Sequence, residues 1–122
     1  MRWIAMLGLL AAGLAGCKRG PSPADIADRG WRAHELVVAA GEHAATCAEA
    51  GAAMQRVFGE HRQAFVDAVA LDNDLEKLSE ATDFIEAHRD RYGDLETRMV
   101  ALSDRCTDDA AVQAVFTSME TP

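Results

Sequence analysis

The chain has 122 residues, of which 49% are hydrophobic and 26% charged; that suits one small domain and leaves no room for a second. Acidic residues outnumber basic ones by 20 to 12, for a formal net charge of −8. A surface of this sign repels phosphate backbones and anionic headgroups, which argues against nucleic acid as a partner.

The amino-terminal residues follow a recognisable order: positive Arg2, an apolar run from Trp3 to Ala15, then small residues. The run is shorter than the roughly 20 residues that a membrane-spanning helix needs, and its length suits the core of a signal peptide. Leu14-Ala15-Gly16-Cys17 then resembles the lipobox of bacterial lipoproteins. The resemblance implies cleavage before Cys17, so that residues 1–16 are a removed leader. It also implies a diacylglyceryl group on the Cys17 sulfur and an acyl chain such as palmitate on the new amino group. One acyl chain holds a protein only marginally at a membrane, whereas two or more hold it stably. The alternative is an ordinary secretory signal that happens to end in cysteine; Leu14 and the small residues Ala15 and Gly16 argue against it. Arg2 leaves with the leader, so the mature chain is one unit more negative than the precursor. By analogy with the class, Lys18 in place of an aspartate favours the outer over the inner membrane of the cell envelope. Residues 17–23, with Gly20, Pro21 and Pro23, read as a short tether that starts no helix before Pro23. Lys18 and Arg19 sit where lipid headgroups would be.

From Ala24 to Glu120 the pattern is helical, and the fold class expected is all-α. Ile26, Gly30, Ala33, Val37, Ala40, Ala44, Cys47, Gly51, Met54 and Phe58 recur at spacings of four and three, one narrow stripe of mostly small residues. A neighbouring helix can approach such a stripe closely, and Gly41 or Gly51 can bend it. Gly59 reads as the stop. A second segment carries Phe65, Ala68, Leu71, Leu75, Leu78, Thr82, Ile85 and Tyr92, with an interruption expected at Leu71-Asp72-Asn73-Asp74, where side chains compete for backbone hydrogen bonds. Gly93 and Asp94 read as a stop and a fresh cap. The third segment carries Leu95, Met99, Leu102, Cys106, Val112, Phe116 and Met119, with a restart expected at Thr107-Asp108-Asp109. The expectation is a small up-down bundle of three helices, four if that restart separates one more. Asp25–Arg29, Asp28–Arg32 and Asp94–Arg98 stand one turn apart and support helicity by a few tenths of a kcal/mol each.

Three cysteines are present. With Cys17 assigned to lipid, Cys47 and Cys106 remain as an even pair in an oxidising compartment, which predicts a disulfide between the first and third helices. In a straight bundle the two differ in height by about 9 Å, so the bond requires shifted helix ends or a break near Asp72 or Thr107. The competing reading gathers His43, Cys47, Cys106 and Asp109 around a metal such as zinc. Both readings need the same sulfurs and exclude each other.

His34, His61 and His88 have no histidine or carboxylate three or four residues away, which argues against a helical di-metal site and reads them as exposed or edge residues. No Cys-x-x-Cys-His motif marks covalent haem; non-covalent haem would pair a histidine with Met54 or Met99, although methionine on an apolar stripe reads first as packing. Ser22, Ser79, Ser103 and Ser118 have no glycine-rich elbow. Trp31 reads as helix-edge packing, or as a contact with the membrane or a partner. The expected function is therefore a non-enzymatic helical module without cofactor, anchored to the membrane through Cys17 and binding another envelope protein or serving a structural role. The alternative is a metal- or haem-binding periplasmic bundle.

Overall fold

The structure is a computed structural model that describes residues 20–122. The leader expected over residues 1–16, the lipidation expected at Cys17 and the first part of the expected tether lie outside the described residues.

Ser22 caps the first helix. Its Oγ accepts from the Asp25 amide at 3.1 Å, and the Asp25 carboxylate accepts from the Ser22 amide at 3.4 Å. This capping box satisfies orphan donors at both ends of the first turn, with Pro23 at the first helical position where its missing N–H costs nothing. Six α-helices follow: α1 (Pro23–His43), α2 (Cys47–Glu60), α3 (Arg62–Ala70), α4 (Leu75–Ala87), α5 (Arg89–Arg105) and α6 (Ala110–Glu120). A single 3-10 turn, Leu71–Asn73, separates α3 from α4, and no strand occurs among the described residues.

The all-α class and the bundle hold; the count of three or four helices is corrected to six. Two interruptions stand where expected. Asp74 closes the 3-10 turn and caps α4 by accepting from the Lys77 amide at 3.2 Å, and Asp109 caps α6 by accepting from the Val112 amide at 3.0 Å. Three others do not. Thr46 caps α2 by accepting from the Glu49 amide at 3.2 Å, and the Glu49 carboxylate accepts from the Ala45 amide at 3.2 Å, so the first stripe is two helices joined at a corner. His61 and His88 each leave helical geometry alone, with φ near −114° and −119°, and neither has a side-chain cap. Gly59 and Gly93, expected as stops, lie inside α2 and α5, and no glycine among the described residues takes a positive φ.

α1 is the spine, packed against α2, α3, α4 and α5, while α6 covers α2. The small stripe permits this. A Cβ on Gly41 would come within 2.7 Å of both the Leu102 Cδ2 and the Met54 Sδ, and one on Gly51 within 2.8 Å of the Ala111 Cβ. The main core gathers Val37, Val38, Met54, Phe65, Val112 and Cys106, all fully buried or nearly so. A second, smaller cluster of Ala27, Leu71 and Ala81 seats α4 on the first half of α1. Leu75 and Ile85, expected on the inner stripe, are 83% and 36% exposed. The 3-10 turn resets the register of α4, whose fully buried position is Ala81, with Phe84 packed beside it.

Candidate functional site

Cys47 is the first residue of α2 and Cys106 the cap that ends α5. Their sulfurs are within bonding distance and their Cα atoms 5.6 Å apart, so the pair forms a disulfide. It joins α2 to the α5–α6 corner rather than the first of three helices to the last. The corner at Thr46 accounts for this: it starts a new helix at Cys47 and removes the height mismatch of a straight bundle. His43 and Asp109, the other members of the expected metal alternative, are engaged elsewhere. The His43 Nδ1 lies 2.6 Å from the Ala39 carbonyl, and the Asp109 carboxylate caps α6. No group of three or more His, Cys, Asp or Glu side chains placed to hold a metal occurs among the described residues.

A mostly apolar cleft of about 370 Å³ opens where the two core clusters fail to merge. Its volume lies in the lower part of the range usual for small-molecule sites. α1 forms the floor with Ala27, Gly30, Trp31 and His34. Leu78, Ala81 and Ile85 of α4 form one wall, and Tyr92, Leu95 and Met99 of α5 the other. Ala68, Leu71 and Asp72, from the end of α3 and the turn, close one side, and Glu96 stands at the rim. The cleft exists because α4 and α5 both lean on α1 and hardly on each other.

The aromatic end of the cleft is tied down. The Trp31 Nε1–H donates to the Arg91 carbonyl at 3.3 Å, and the Tyr92 hydroxyl donates to the Ala27 carbonyl at 3.1 Å. Arg91 stacks its guanidinium 4.2 Å from the centre of the Trp31 ring and donates from Nη2 to Asp28 at 2.8 Å. Asp28 also accepts from Arg32 at 2.9 Å. Hydrogen bonds from Arg32 first, and then from Arg91, hold its carboxyl below the usual range against the opposing effect of burial. Burial pushes the Tyr92 phenol up. The Arg91 Nε is buried without a hydrogen-bond partner.

His34 lies on the floor, its ring 4.6 Å from that of Phe65. Its Nδ1 is 2.7 Å from the Gly30 carbonyl, which can only accept, so the ring hydrogen sits on Nδ1 and Nε2 is an acceptor. Burial lowers the His34 pKa and keeps the ring neutral.

Of the residues weighed from sequence, the disulfide pair is brought together and the four-residue metal set is not. Met54 is core, whereas Met99 and His34 line one cleft. Trp31 is at the helix edge as expected, but it faces α5. The cleft itself was missed, and so was Arg91. A signal existed in Ala27, Gly30, Trp31 and His34, where two small residues and then two ring-bearing ones fall at spacings of three, one and three along the start of α1. No described helix is long and apolar enough to cross a membrane. No family model, curated protein or solved structure matches the chain.

Proposed function

We propose that the protein is an exported bacterial lipoprotein of the cell envelope, on the outer membrane in preference to the inner. Its six-helix domain is a non-enzymatic binding module whose site is the cleft between α1, α4 and α5. The observation that carries the anchoring is the order Arg2, apolar run, Leu14-Ala15-Gly16-Cys17. The formed Cys47–Cys106 bond supports it, because such bonds persist in oxidising compartments. The binding reading is supported by the lining of the cleft, which is mostly apolar with a few polar side chains among Trp31, Leu95 and Met99, the composition of a small-molecule site. The cleft lies along the first half of α1, the half that continues from the tether, so a bound molecule is held close to the membrane.

Metabolic labelling with an alkyne-bearing palmitate tests the anchor. The wild-type chain takes the label and the Cys17→Ser chain does not. An unlabelled wild-type chain, or equal labelling of both, contradicts the assignment.

A second reading, non-covalent haem, is favoured by one observation: His34 and Met99 line the same apolar cleft. A Soret band in the purified protein would establish it in place of the cofactor-free module.

A further inference from the structure

The hydrogen-bonding character of the cleft is one-sided. Its side-chain donors are engaged by backbone carbonyls: the Trp31 Nε1–H by Arg91, the Tyr92 hydroxyl by Ala27, the His34 ring hydrogen by Gly30. Arg91, which neighbours Tyr92 in sequence, is stacked on Trp31 and paired with Asp28. What the cleft offers are acceptors: the lining includes His34, whose Nε2 accepts, and the carboxylate-bearing Asp72 and Glu96. Both carboxylates are exposed, and among the described residues neither joins an ion pair. An anionic ligand, a fatty acid or a haem propionate, meets like charge there and finds no donor. A ligand with a positively charged donor head meets only acceptors, and the net charge of −8 steers it inward.

We propose that the cleft binds a small protonated amine with an apolar body, the body lying against Trp31, Leu95 and Met99 and the ammonium held by Asp72 and Glu96. The proposal rests on reading the cleft as the binding site and is independent of the lipid on Cys17. The polar ends contribute selectivity, while the apolar walls contribute most of the affinity.

Three probes of matched shape test it: phenylbutylamine, phenylbutanol and phenylbutyrate. In a Trp3→Phe background Trp31 is the only tryptophan of the chain, and its emission reports on the cleft directly. The full chain is held in phosphatidylcholine nanodiscs, with empty discs as the reference for partitioning. The amine gives a saturable change in Trp31 emission and binds about tenfold tighter than the alcohol, a ratio set by charge-assisted contacts to two exposed carboxylates. The acid binds more weakly than the alcohol. In the Asp72→Asn, Glu96→Gln chain, whose far-UV circular dichroism is unchanged, the amine falls to the affinity of the alcohol. Equal binding of all three probes overturns the amine class while leaving the cleft a binding site. A preference that survives the double substitution overturns the assignment of the head group. No saturable change with any probe overturns the cleft as a binding site altogether.

Discussion

Cys47 opens α2 and Cys106 closes α5, and with their Cα atoms 5.6 Å apart they are the covalent link between two corners of the bundle. A separation of 59 residues in sequence makes this a long loop, and closing such a loop in the unfolded chain is worth roughly 4 kcal/mol on the chain-entropy account. The Cys47→Ala, Cys106→Ala chain is therefore expected to lose about 2–4 kcal/mol of unfolding free energy in urea titrations, part of it from the cavity left beside buried Cys106. Unchanged stability would mean that the bond does not form in the native protein.

Two glycines separate close packing from mere helical weakness. Gly51 has the rigid Cβ of Ala111 at 2.8 Å from where its own Cβ would stand, whereas Gly93 has nothing within 4 Å. Gly51→Ala must push α6 off α2 and is expected to cost about 1–3 kcal/mol, less the gain in helix propensity. Gly93→Ala carries only the gain, about 0.5–1 kcal/mol of added stability, since its φ is not positive. Thermal melts of the two variants, moving in opposite directions, check both.

Acid acts on the fold in two separate windows. His34 is held neutral, its pKa below the ordinary 6.5. Its contribution is complete above that value and is lost as pH falls through the folded pKa, because the unfolded chain takes up the proton first. Hydrogen bonds from Arg98 hold the Glu42 carboxyl below the glutamate range, so its contribution is lost only at lower pH. Unfolding free energy measured from about pH 7 to about pH 5 should fall in the wild type and flatten in His34→Gln. A parallel fall in both chains would show that His34 is not the group responsible.

Arg98 of α5 clamps α1 by donating to Glu42 at 2.7 Å and to Glu35 at 3.1 Å. The side chains are only partly covered, so solvent screens the pairs. Arg98→Met is expected to cost about 1 kcal/mol, and high salt should narrow the gap to wild type. A loss that salt does not alter would assign the effect to packing.

The sequence carried the helical class, the core of the first and third stripes and the breaks at Asp74 and Asp109, because these have strong local causes: apolar spacing and capping carboxylates. The second stripe held only as far as Leu71, beyond which the 3-10 turn changes the register. It hid the corner at Thr46, because the spacing from Ala44 to Cys47 continues the stripe unbroken across it. Thr46 with Glu49 three residues on was the available clue. The interruptions at His61 and His88 have no capping side chain behind them, so no local motif marks them. Gly59 and Gly93 misled for the converse reason: glycine permits a stop without imposing one. The disulfide was legible from parity alone, its partners in the fold were not. The cleft was illegible since it depends on α4 and α5 leaning separately on α1, a relation between elements distant in sequence.

The intact mass of the protein purified from its native envelope tests the account most directly. The account predicts a chain beginning at Cys17 and carrying a diacylglyceryl group with further acylation. A chain that retains Met1–Gly16, or one with an unmodified Cys17, would contradict it.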